Sequence, residues 1–91
     1  MIKYFAVFLP MKDAQKSREF RPQHLEFLKQ CREERTILMN GPFVDGAGGL
    51  VIYKGASLDE IEKLVNTDPY IVNGAREYEI HEWDMESNYN F

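Results

Sequence analysis

The chain has 91 residues, a formal net charge of −4, 44% hydrophobic and 29% charged residues, and one cysteine. That is one domain rather than two, and too apolar for a disordered chain; a single cysteine excludes an internal disulfide framework and a cysteine-built zinc site. A pI near 5.1 speaks against nucleic-acid binding, and no run approaches the ~18 apolar residues of a membrane span.

No signal-peptide pattern follows Lys3, so the expected compartment is the reducing cytoplasm. Residues 1–84 read as one domain and 85–91 as a frayed tail. A domain this small buries only about 60–65% of its unfolded surface, so association with a second copy would help it.

Ile2 to Leu9 is β-branched and aromatic-rich and ends at Pro10, which predicts a strand. Tyr4, Ala6 and Phe8 alternate with Phe5, Val7 and Leu9, so both faces are apolar and both need covering. Residues 12–21 are polar. From Pro22 to about Glu34 the spacing of Leu25, Leu28 and Cys31 is helical. Either Pro22 opens this helix, or the helix begins near Asp13 and Pro22 kinks it. Thr36–Asn40 and Leu50–Tyr53 read as two strands of a hairpin, with Gly41-Pro42 and the turn Asp45–Gly49 between them. Ser57 with Glu60 forms a capping box for a second helix carrying Leu58, Ile61, Leu64 and Val65. Asp68-Pro69 stops it. Residues 75–83 alternate as an edge strand.

The order β-α-β-β-α-β is the ferredoxin-like arrangement of an α+β fold. Its antiparallel sheet has strand order 4-1-3-2 and both helices on one face. The other face is left open, yet its residues are apolar. A second copy of the sheet is the simplest cover, which gives a homodimer.

This connectivity gathers His24, Asp45 and Asp68 at one end of the domain. Histidine suits general acid–base work near neutral pH, and an aspartate bonded to it would fix its tautomer. Each residue also has a plainer reading: His24 as a half-buried member of the helix stripe, Asp68 as a cap for the turn at Pro69–Tyr70, Asp45 as ordinary Asp-Gly turn chemistry. Lys12, Lys16, Arg18, Arg21 and Arg76 fall near the same end, a local positive charge that suits an anionic substrate. Arg21 precedes His24 by three, which makes them neighbours on a continuous helix. Glycines 41, 46, 48 and 49 would let backbone amides approach a ligand, but no phosphate-loop motif is present. Cys31 sits on the helix stripe as core. His81 lies far along the last strand, so a two-histidine metal site in one subunit is not expected.

The set Arg21-Pro22-Gln23-His24-Leu25, Gly41-Pro42, Asp45-Gly46 with Gly48-Gly49, and Asp68-Pro69-Tyr70 resembles the YciI-like, or YCII-related, family over roughly Met1 to Trp83. The resemblance implies a dimeric α+β barrel of ferredoxin-like subunits with a histidine–aspartate centre. His24 and Asp68 match that centre, Asp45 a second, less constant acidic position, and Arg21 an arginine three before the histidine. Some members are dehydrochlorinases acting on chlorinated muconolactone-type or hydroquinone-type compounds. The Gly41–Gly49 segment is shorter here than in some relatives and should line the pocket mouth, with Gly41 and Pro42 against the substrate.

Two functions follow as expectations. One is a small enzyme of the lyase or isomerase kind, with His24 as general base, Asp68 orienting it, Asp45 assisting, and neither metal nor redox cofactor. The other is a non-catalytic dimer that binds or senses a small molecule.

Overall fold

Phe5, Val7 and Leu9 alternate along β1 (Lys3–Pro10) and are almost fully buried, because β1 is an inner strand. In the computed structural model, which describes residues 1–91, β1 leads to α1 (Ala14–Glu33), β2 (Ile37–Pro42) and β3 (Gly48–Gly55). α2 (Leu58–Val65), a one-turn α3 (Pro69–Val72) and β4 (Glu79–Trp83) follow. The sheet order is β2-β3-β1-β4, antiparallel throughout. This is the expected topology with one added turn of helix.

Of the two possible starts for the first helix, the structure takes the earlier one. Asp13 caps α1, its carboxylate accepting from the Lys16 amide at 2.9 Å. Pro22 lies inside the helix and has no N–H for the Arg18 carbonyl. Both residues are exposed, so this break in the helical ladder lies on the solvent side of α1. The buried stripe of α1 is Ser17, His24, Leu28 and Cys31, spaced by seven, four and three residues. Its apolar members Leu28 and Cys31 join one cluster with Phe5, Val7, Leu9, Ile37, Val51 and Tyr53 of the sheet.

The last strand is shorter than the alternation of residues 75–83 suggests. Gly74 adopts φ +71° and turns the chain back. The amides of Ala75 and Arg76 then both donate to the Tyr70 carbonyl, at 2.9 and 3.2 Å. That backbone is committed to the end of α3, so only an isolated bridge, Met11 to Arg76, joins it to the first strand region.

A register shift between Ile37 and Met39 inserts an extra residue into β2, which reverses the faces beyond it. Beyond β4 the chain reaches back across β1 to β3, where the Lys54 ammonium donates to the Phe91 carbonyl at 3.4 Å.

The helices cover one sheet face. On the other, Ala6 lies between Ile52 and His81, and Tyr4 between Lys54 and Trp83. Met39, opposite Ile52, and Trp83 keep 43% and 45% of their surface exposed. The open face is thus apolar at its centre, as its alternating residues require.

Gly48 fixes how closely β3 meets β1. It has φ +143°, and a Cβ there would run into the Leu9 carbonyl oxygen. Gly46 has φ +81° and open space around it. Urea unfolding of the two alanine variants separates these cases. Gly46→Ala should cost about 1–2 kcal/mol, the left-handed backbone penalty alone. Gly48→Ala should cost more than Gly46→Ala, because the collision adds to the strain.

Candidate active site

The stripe that seats α1 on the sheet also carries His24 inward, where it is 7% exposed. The chain after α2 brings Asp68 to meet it. Asp68 is the N-cap of α3, with Pro69 at the first helical position, and its Oδ1 accepts from the Tyr70 amide at 2.9 Å. The same Oδ1 lies 2.7 Å from His24 Nδ1. Asp68 is completely buried, and its Oδ2 has no protein partner. An ionised carboxylate only accepts, so Nδ1 carries the hydrogen. That leaves Nε2 as the basic nitrogen, accessible and without a protein partner.

Tyr70 completes the arrangement. Its ring stacks on the His24 ring, with centroids 3.8 Å apart and planes 10° from parallel. The Arg76 guanidinium lies over the Tyr70 ring, 4.7 Å from its centroid. Arg76 is itself only 9% exposed. Its Nε donates to Ser17 Oγ at 2.9 Å and its Nη1 to the Leu9 carbonyl at 3.3 Å.

These groups border a cleft of about 50 Å³ between α1 and the sheet, open to solvent. Its walls include Arg21, His24 and Leu25 of α1, Gly41 and Pro42 of β2, Gly48 to Val51 of β3, Tyr70 and Arg76. In the single chain this is well below the ~300–1,000 Å³ of ordinary ligand pockets, so a ligand would lie partly in the open mouth of the cleft. The glycines keep the β2 and β3 wall low.

Of the residues singled out in the sequence, the structure brings His24 and Asp68 into contact. It places Arg21, Gly41 and Pro42 around the same cleft. Asp45 is elsewhere: it is exposed, its carboxylate accepts from the Ala47 amide at 2.9 Å, and it does not border the cleft. The reason is local, since an Asp-Gly turn satisfies that carboxylate within its own loop. Lys12 also points away, toward Glu77 at 3.6 Å. Of the five basic residues expected at this end, Arg21 and Arg76 border the cleft.

Sequence reasoning did not find Tyr70 as the plate between His24 and Arg76, nor Ser17 as the tether of Arg76. The signal for Tyr70 was its place in Asp-Pro-Tyr, where a capped turn must follow. Ser17 had one as well, seven residues before His24 on the same helical face.

No group of three or more His, Cys, Asp or Glu side chains is arranged to hold a metal ion. Burial pushes the Cys31 thiol up from its ordinary value, so it is held as a thiol in the core. Burial also pushes the Tyr53 phenol well up, and the charge of Asp68 adds to that.

A four-stranded α+β subunit with a histidine–carboxylate pair at the foot of a small cleft is the class that fold and site define. Solved structures share this fold. The chain belongs to the YCII-related domain family, whose profile matches residues 3–84. It is 32% identical to the uncharacterized protein YjpA of Bacillus subtilis (strain 168) over 82 residues, 90% of this chain and 96% of that one. Among solved structures it resembles the 5-chloro-2-hydroxyhydroquinone dehydrochlorinase TftG of Burkholderia phenoliruptrix AC1100, in complex with 2,5-dihydroxybenzoquinone. That match has a TM-score of 0.78 and 20% identity over 91% of this chain and 95% of the other. A putative antibiotic biosynthesis monooxygenase from Deinococcus radiodurans gives a TM-score of 0.51 and 12% identity, covering 100% and 98% of the two chains. At these identities the two structures establish the fold.

Tyr53 gives the site a readable pH dependence. The unfolded chain loses its tyrosine proton near 10.0, whereas folded Tyr53 keeps it to higher pH. Above that value the native state binds the extra proton, so stability falls as pH rises, by up to about 1.4 kcal/mol per pH unit. Urea midpoints measured between pH 8 and roughly pH 11 should show that slope. Tyr53→Phe should make it shallower.

Proposed function

We propose that the protein is a small enzyme of the lyase or isomerase kind, in which His24 Nε2 takes a proton from a small anionic substrate bound in the cleft. The observation that carries this reading is the 2.7 Å bond between His24 Nδ1 and a fully buried Asp68. That bond holds the ring in the tautomer whose free nitrogen is accessible from the cleft. As His24 gains the proton, the Asp68 carboxylate faces an imidazolium. The proton then returns to another position of the substrate, or the freed pair forms a double bond as a leaving group departs with its own bonding pair. Arg21 at the cleft wall attracts an anion, and Gly41 and Pro42 shape the opposite wall. Asp45 stays with its own turn outside the cleft and takes no part in this step. No metal or redox cofactor is part of this chemistry, and the reading places it in the cytoplasm.

The same reading includes a homodimer formed through the open sheet face. Support comes from Trp83 and Met39, large apolar side chains on that face that stay over 40% exposed in the single chain.

Screening should begin with acidic lactones and chlorinated hydroxyhydroquinones, the latter being the class in the structural neighbour's name. On a substrate turned over by the wild type, His24→Asn should lower kcat by about 10²–10⁴-fold. Full turnover by that variant would remove the general base from the reading. Asp68→Leu removes the oxygen that accepts from both the Tyr70 amide and Nδ1, so it should release the ring from its tautomer, and the ¹⁵N shifts of the two ring nitrogens report that directly. Phe8→Arg, on the open face, should convert a dimer into a monomer in sedimentation; a wild type that is monomeric at every concentration overturns the interface.

A further inference from the structure

Arg76 is a buried cation without a buried anion. It is 9% exposed, yet no carboxylate pairs with it. Its partners are a hydroxyl, a backbone carbonyl and an aromatic ring, all of them neutral. Burying a charge this way is costly unless something compensates it. Nε and Nη1 are tied to Ser17 and Leu9, while Nη2 has no protein acceptor and keeps accessible surface. The residue borders the cleft that holds His24. The tethers fix the guanidinium plane, so little motion is lost when an anion arrives.

The other charges near the cleft do not supply the missing anion. Asp68 is engaged with His24 and with the Tyr70 amide. Asp45 stays with its own turn. Arg21 adds a second positive charge at the wall. The apolar wall offered by Leu9, Leu25, Leu28 and Leu50 suits the body of an unsaturated ring better than a polar chain.

We infer that Arg76 is the oxyanion-binding residue of this cleft, and that its ligand is a small planar molecule carrying a delocalised oxygen anion, a carboxylate or an ionised phenol or enol. The assignment deepens the function proposed above and rests on it for the reaction. In that reaction His24 Nε2 receives the proton, and the electron pair left behind moves onto the substrate oxygen facing Arg76. The fixed guanidinium opposes that negative charge as it forms.

The test uses benzoate and benzamide, which share a shape and differ in charge, with phenolate-forming 4-nitrophenol as the second oxyanion. Titrations followed by ¹H–¹⁵N spectra of the wild-type protein should show benzoate moving the Arg76 Nε–H resonance and the amides of the β2 and β3 wall. Benzamide should bind at least tenfold more weakly. Arg76→Gln should lose at least tenfold in benzoate affinity, and Arg76→Lys should keep more of it. His24→Gln should still bind benzoate, which separates this inference from the catalytic reading: binding kept there and lost at Arg76 supports the anion site whatever His24 does. If 4-nitrophenol binds in its ionised form and benzoate does not, the ligand is the phenol or enol type; the reverse assigns the carboxylate. If Arg76→Gln fails to fold, the wild-type Nε–H response decides. An unmoved Arg76 resonance, equal binding of benzoate and benzamide, or no binding of either oxyanion overturns the inference.

Discussion

A carboxylate with no exposed surface, held by one backbone amide and one imidazole, is the interaction on which the helix side of this molecule depends. Asp68 receives only the Tyr70 amide and His24 Nδ1, both on Oδ1, while Oδ2 has no partner. Taking a carboxylate out of water is costly, and two hydrogen bonds to one oxygen offset only part of it. The remainder is supplied by packing that holds α1, α2 and α3 around it. The pair therefore couples two distant parts of the chain, 44 residues apart. His24 is drawn inward by the same stripe that buries Leu28 and Cys31, so histidine as core residue and histidine as site residue are the same placement.

That coupling explains how much of the site could be read from the chain. The element order, the strand order and the meeting of His24 with Asp68 follow from hydrophobic period, capping and connectivity, because each is set by local chemistry and a rule of topology. Asp68 as a helix stop and Asp68 as a histidine partner were alternatives on the page of sequence, and they turn out to be compatible: Oδ1 does both. Asp45 shows the limit. Connectivity puts it at the right end of the domain, but the turn beside it consumes its carboxylate. Pro22 shows another limit: the Asp13 cap and the buried stripe that starts at Ser17 carry α1 through the proline, although its own local cost argues for a break there.

Residues 75–83 were legible as alternating but not as partly unpaired. Alternation records which face a residue occupies, not whether its backbone joins a ladder. The amides of Ala75 and Arg76 turn to the Tyr70 carbonyl because Gly74 can adopt a positive φ. That departure from the sheet is what brings Arg76 over Tyr70 and onto the cleft.

The arrangement keeps two opposite charges from cancelling. Arginine and carboxylate pair strongly and bidentately when they meet, and a direct Arg76–Asp68 pair would leave neither group for other work. Tyr70 assigns them to different partners: its amide is bound to Asp68, and its ring lies against both His24 and Arg76. Ser17 and Leu9 hold Arg76 from the other direction. Asp68 is thereby committed to His24, and Arg76 keeps its charge unneutralised at the wall of the same cleft. A histidine nitrogen and a fixed cation thus face one small cleft, the placement that the function proposed above calls for, and the fold reaches it with one capped turn and one glycine.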